Sequence, residues 1–109
     1  MTTIFKSDGG PAVRLSEKEH VILGMLASGE ELYGLAIVER SEGRVGRGTA
    51  YVTLGRMEEK GFIVSRQEDR QTGAIGLPRR LYKITGHGES VLNAYELAAF
   101  TFSDAMVRA

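Results

Sequence analysis

The sequence contains no cysteine and no tryptophan, and only two prolines and two histidines among its 109 residues. Without cysteine there is no disulfide framework, no thiolate nucleophile and no thiolate zinc site. His20 and His87 lie far apart in the chain, so no metal and no other cofactor is expected. Long apolar runs are missing too. The most apolar stretch, Val91 to Phe102, is interrupted by Asn93 and Glu96 and falls short of the roughly 20 residues that cross a bilayer. Met1 to Gly10 lacks the apolar core of a secretory signal. A soluble cytoplasmic protein without a membrane partner is expected. No paired carboxylates and no nucleophile with an adjacent base stand out, so the chain does not read as an enzyme. The glycine-punctuated run Gly43 to Gly48 lacks the Gly-Lys-Ser/Thr ending of a phosphate-binding nucleotide loop.

An excess of charge of either sign is also absent, since 14 Lys+Arg balance 14 Asp+Glu. The balance is not local. From Arg44 to Lys83 there are nine basic and four acidic residues, a net of +5, and the remainder of the chain carries −5. Phosphate recognition depends on the field of one face rather than on the sum, so a polyanion partner remains open, as does a solvated mixed-charge surface. A chain of this length buries roughly 60 to 70% of its unfolded surface, a thin core that a second subunit could extend.

Residues Met1 to Arg14, with Gly9-Gly10-Pro11, read as an N-terminal arm on which Ile4 and Phe5 could dock. Ser16 followed by Glu19 is a capping-box signature, and Val21, Ile22, Met25 and Leu26 share a helical face, which predicts a first helix over Ser16 to Ala27. Leu35, Ile37 and Val38 belong to a second, short helix from Tyr33 to Ser41, in which Gly34 marks close packing. A third helix is expected from Thr49, its cap or first-turn residue, to Lys60-Gly61. Ala50, Leu54 and Met57 form its apolar seam; Thr49, Thr53, Arg56 and Lys60 form a polar, basic face.

Phe62 to Arg66 and Arg80 to Ile84 read as the two strands of a hairpin with a long tip, and Pro78 stands at the entrance of the second. From Glu89 to Arg108 the chain is again helical, with Leu92, Tyr95, Ala99, Phe102 and Met106 apolar at steps of three and four. The apolar arc is broad enough to bury one side on its own domain and another on a second subunit, so these five residues are the candidate dimerisation set. The expected fold class is mainly α with a small β-hairpin. It divides into an arm (1–14), a winged helix-turn-helix (15–86) and a C-terminal dimerisation helix (87–109).

Four segments resemble the PadR family of bacterial transcriptional regulators. They are Val21-Ile22-Leu23-Gly24-Met25-Leu26 followed by Tyr33-Gly34; Gly48-Thr49-Ala50-Tyr51 running to Glu58-Glu59-Lys60-Gly61-Phe62-Ile63; Pro78-Arg79-Arg80-Leu81-Tyr82-Lys83-Ile84-Thr85; and Gly86-His87-Gly88. Order and spacing carry the resemblance, from Leu15 to about Leu92. Ala50 stands where that family usually has Leu, Val52 where Pro is common and Gly55 where Arg is frequent, and the hairpin tip, Gln71 to Gly76, is longer than the family's short turn.

The resemblance implies a homodimer on double-stranded DNA with a pseudo-palindromic operator, acting as a repressor. A B-DNA major groove admits one helix, which would make Thr49, Thr53 and Arg56 base or phosphate contacts, with Arg47 just before the helix and Lys60 at its end on phosphate. The Tyr51 ring would lie beside the packed seam, either as core alone or as core with its hydroxyl at a phosphate, rather than read a base. Arg70, Arg79 and Arg80 would sit on the wing, suited to phosphate or a narrow minor groove. Some relatives hold flat aromatic compounds in the dimer pore, which here would be lined by Tyr95, Phe100 or Phe102. No role is assigned to His20 or His87. The alternative from another class is a winged-helix protein-interaction module without DNA affinity, suggested by zero net charge, Gly55 and the apolar last helix.

Overall fold

The computed structural model describes residues 14–69 and 79–108, with side chains as far as Phe100. Helix α1 spans Glu17–Leu26, and its start is fixed by Ser16. The Ser16 hydroxyl accepts from the Glu19 N–H at 3.1 Å while the Glu19 carboxylate accepts from the Ser16 N–H at 3.0 Å, a reciprocal capping box. The residues facing the core are Glu19, Ile22, Leu23 and Leu26. Helical spacing groups Val21 and Met25 with Ile22 and Leu26, but both are only half-buried, because the 19/22/23/26 stripe is the one turned inward.

Strand β1, Leu32–Tyr33, is followed directly by α2, Gly34–Arg40. Ser41 then closes the turn to the next helix: its hydroxyl donates to the Val38 carbonyl at 2.7 Å and accepts the Val45 N–H at 3.0 Å. Glu42 takes a left-handed conformation, φ 53°, and Val45 drops into the core. Helix α3 spans Arg47–Glu59 with Gly46 as its N-cap, so it starts two residues earlier than expected and takes Arg47 into its first turn. Thr49 does not cap it; the Thr49 hydroxyl points back to the Gly46 carbonyl at 3.3 Å. The end of α3 is as read. Gly61, at φ 81°, lets the Gly61 and Phe62 N–H groups reach the Glu58 and Met57 carbonyls, a Schellman closure.

Strands β2, Ile63–Gln67, and β3, Arg80–Ile84, form the expected hairpin, but the sheet has three antiparallel strands in the order β1-β3-β2. Leu32 pairs with Tyr82 and Tyr33 with Leu81, while Ile63 to Gln67 pair with Ile84 to Arg80. A two-residue strand shows no alternation, which is why periodicity does not reveal β1.

Helix α4 spans Gly86–Arg108 and begins three residues before Glu89. Packing accounts for Gly88 of this first turn, whereas a Cβ on Gly86 would meet nothing within 4 Å. The Thr85 hydroxyl oxygen accepts the Gly88 N–H at 2.9 Å, as an N-cap does, and a Cβ on Gly88 would overlap the Phe62 carbonyl oxygen. One core gathers Ile22, Leu23 and Leu26 of α1, Ile37, Val45, Leu54 and Met57, Ile63 and Ile84 of the sheet, and Leu92 of α4. Burial of these side chains, at about 25 cal/mol per Å² of apolar surface, is what holds three short helices and a small sheet together. Among the described residues no helix is long and apolar enough to cross a membrane.

Candidate nucleic-acid interface

Helix α3 is anchored through Ala50, Leu54 and Met57, all without solvent exposure. That fixes the direction of everything else on it. Thr49 and Arg56 are exposed on one flank, with Thr53 half-buried beside them. Tyr51 and Arg47 are exposed on the flank nearer α2 and the sheet. The face opposite the seam carries Gly48, Val52, Gly55 and Glu59, all exposed, a face that the basic stripe of Thr49, Thr53, Arg56 and Lys60 does not include. Its signal in the sequence is spacing: these residues lie about half a turn from the apolar seam.

No carboxylate among the described residues forms an ion pair with Arg47 or Arg56. Lys60 differs from them. Its Nζ lies 2.8 Å from Glu19 Oε2, so this lysine ties the end of α3 to the start of α1. Glu19 is buried, which alone would raise its pKa, but the Lys60 hydrogen bond, the Ser16 N–H and the lysine charge outweigh burial and hold the carboxyl below its ordinary range.

Tyr51 lies over Gly34 rather than in the core. A Cβ on Gly34 would come within 2.6 Å of the Tyr51 ring, so the close packing expected of Gly34 is a contact between the two helices of the helix-turn-helix. Tyr33, Tyr51 and Tyr82 with Arg79 and Arg80 line a cleft of about 480 Å³ between α3 and the sheet. Burial pushes the Tyr82 hydroxyl's pKa up.

The wing's cations are arranged against carboxylates. Arg66 makes two hydrogen bonds to Glu31, at 2.8 and 2.9 Å, and this pairing holds the Glu31 carboxyl low and the guanidinium high. Arg79 stacks over the Tyr33 ring at 4.1 Å and donates to Glu68 at 3.3 Å. Glu68 also accepts the Tyr33 hydroxyl at 2.6 Å, which raises the tyrosine's pKa and lowers the glutamate's. Arg80 donates to Ser65 Oγ at 3.0 Å, and Ser65 donates to Glu58 Oε2 at 2.8 Å, linking both wing strands to the last turn of α3. These partners join residues distant in sequence and leave no local signature. Arg70 lies outside the described residues.

Of the residues assigned to dimerisation, Leu92 is buried in its own protomer's core and Tyr95 is half-buried, its ring 4.8 Å from that of His20. Ala99 is exposed, and the side chains of Phe102 and Met106 lie outside the described residues. Past Tyr95 the helix outruns its domain: residues 96–100 are all exposed, Leu97 at 66% and Phe100 at 70%. Of the residues expected to line an effector pore, Tyr95 packs inward and Phe100 lies outward, and the Phe102 side chain lies outside the described residues. His20 Nε2 also lies 3.1 Å from Glu96 Oε2. Among the described residues no group of three or more His, Asp or Glu side chains is assembled to hold a metal ion.

A family model described as the transcriptional regulator PadR-like family matches residues 22–94. No curated protein sequence matches the chain. Among solved structures, a PadR family transcription regulator from Clostridium difficile is similar over 85% of this chain and 97% of that one, with 25% identity and a TM-score of 0.72. A PadR-like transcription factor from Bacteroides fragilis shows 28% identity and a TM-score of 0.71 over 83% of this chain and 86% of the other. Bacillus subtilis PadR in complex with operator DNA shares the fold, with a TM-score of 0.62 and 24% identity over 71% of this chain and 45% of that one.

Proposed function

The chain belongs to the transcriptional regulator PadR-like family, and from that premise we propose that it is a dimeric, cytoplasmic repressor that binds a pseudo-palindromic DNA operator. Helix α3 enters the major groove and the wing lies against phosphate or the minor groove. The observation that carries this reading is α3 itself, anchored by Ala50, Leu54 and Met57 and turning Arg47, Thr49 and Arg56 outward with no carboxylate among the described residues paired to either arginine. Thr49, Thr53 and Arg56 are assigned to bases or phosphate, and Arg47 and the Tyr51 hydroxyl to phosphate. Arg79 and Arg80, with Arg70, are assigned to the wing contact. Lys60 reaches phosphate only from its bond to Glu19.

Geometry supports the dimer. The 23 residues of α4 give a helix about 35 Å long at 1.5 Å per residue, comparable with the roughly 34 Å between successive major-groove sites on one face of DNA. Ala99, Leu97 and Phe100 are the described apolar surface for the partner, with Phe102 and Met106 beyond them. A flat aromatic effector held between the two C-terminal helices belongs to the same reading, with Phe100 the described residue placed to meet it.

The test is binding of the purified chain to duplex DNA from its own promoter region across a salt series. A steep loss of affinity with salt is expected, and Arg56→Ala weakens binding by about 1–3 kcal/mol if that side chain reads a base. A second reading, a protein-interaction module on the winged fold, is favoured by the wing arginines that are already held by Glu31 and Glu68. Affinity for DNA that is negligible at every salt concentration, together with a stable protein partner, would select it.

A further inference from the structure

We propose that Val52 is a base-reading residue, recognising thymine through its C5-methyl group; this rests on the DNA-binding reading above and deepens it. Val52 is 55% exposed on the side of α3 opposite the buried Ala50–Leu54–Met57 seam. Its two neighbours on that stripe are Gly48, four residues before it, and Gly55, three after. A Cβ on either glycine would meet nothing within 4 Å, and neither has a positive φ. Neither packing within the chain nor backbone conformation calls for glycine there, although glycine is a poorer helix former than any residue but proline. The consequence is steric. With Gly48 and Gly55 bare on one side of it and Thr49 and Arg56 on the other, Val52 is the apolar side chain that projects from the outward face, and on the glycine side the helix backbone can approach a groove floor more closely than side chains at 48 and 55 would allow.

Valine has no donor or acceptor, so it cannot read the hydrogen-bonding edges of a base pair. The apolar group that a major groove offers is the thymine methyl. A β-branched side chain on a helix is held near a single rotamer, which fixes the position of its methyl groups and makes the contact directional. Arg47, Thr49 and Arg56, exposed around it, supply the polar and phosphate contacts that valine lacks. Among the described residues, the other exposed large aliphatic side chains of the winged region, Leu35 and Val64, lie on α2 and on β2 and do not share this face.

The experiment begins by selecting duplexes from a randomised library with the full chain. Each thymine of the selected duplex is then replaced in turn by deoxyuridine, which removes only the C5-methyl. At one or more positions the wild-type protein should lose about four-fold in affinity, the worth of one buried methyl-sized group. At those positions Val52→Ala should bind the thymine and deoxyuridine duplexes equally, while Val52→Ile keeps the discrimination. Because Val52 is exposed, the thermal melt of Val52→Ala should match that of the wild type, which separates a lost contact from a lost fold. DNA binding in which no thymine methyl matters through Val52 overturns the inference and leaves the DNA-binding reading standing. Failure to enrich any duplex overturns both.

Discussion

Lys60 and Glu19 join the end of α3 to the start of α1: the lysine Nζ sits 2.8 Å from Glu19 Oε2, while Oε1 of the same carboxylate accepts the Ser16 N–H. One buried carboxylate therefore caps α1 and anchors the last turn of α3. Glu19→Gln should keep the cap, since glutamine also closes a capping box, and lose the ion pair. Lys60→Met should leave the carboxylate buried without its partner. Each is expected to cost about 1 kcal/mol, with Lys60→Met the more damaging because it strands a charge. Urea unfolding at neutral pH measures both.

The pH dependence follows from the same pair. Glu19 has a lowered pKa in the folded protein, so its contribution is present above the unfolded-chain value of about 4.3 and is lost as pH falls through the lower folded value. The urea midpoint of the wild type should drop through this acid window more steeply than that of Glu19→Gln. Equal slopes for the two proteins would mean that Glu19 is not held low.

Much of this was legible in the sequence, and the parts that were not share a cause. The capping box at Ser16 and Glu19, the α3 seam and the Gly61 stop are local patterns, and the structure repeats them. Strand β1 leaves no mark in the sequence because Leu32 and Tyr33 form a strand only through Tyr82 and Leu81, some fifty residues away. Leu92 looks partner-facing from periodicity because helical spacing shows an apolar stripe but not where the domain beneath it ends. Periodicity places the start of α4 only at Glu89 because Gly86 and Gly88 have no side chains to mark a face, whereas the reason for Gly88 is the Phe62 carbonyl it lies against.

Gly88 gives the most local of the stability predictions. Its missing side chain lets the first turn of α4 lie against the Phe62 carbonyl and the Ile84 side chain, and backbone at Phe62 cannot step aside as a side-chain tip could. Gly88→Ala should destabilise the fold by about 2 kcal/mol or more, the range of an overpacked core, despite alanine's better helix propensity. A thermal melt at or above that of the wild type would show that the turn can shift without cost.

The wing arginines yield a prediction about charge. Arg66 is held by Glu31 and Arg79 by Glu68, so a phosphate approaching the wing must compete with carboxylates already in place. Glu31→Gln and Glu68→Gln each remove a negative charge and release a guanidinium. If the wing meets DNA, each variant should tighten binding several-fold at low salt and steepen the salt dependence by about one phosphate contact. An unchanged salt slope in both variants would place the wing away from the duplex.

If two copies act together as proposed, the projecting end of α4 is where they should meet. Leu97 and Phe100 are exposed where the helix has already passed its own core, and an apolar pair left in that position is a poor solution for a lone protomer. The double substitution Leu97→Glu and Phe100→Glu should leave the winged region folded, because neither side chain belongs to its core. It should yield a single-copy species in sedimentation analysis. Loss of the second copy should also reduce affinity for a two-half-site duplex towards that for one half-site, since a linked second contact acts at a high effective concentration. Should the variant sediment as the wild type does, the partner surface must lie elsewhere on the helix, and the spacing argument for two grooves would need another pair of anchors.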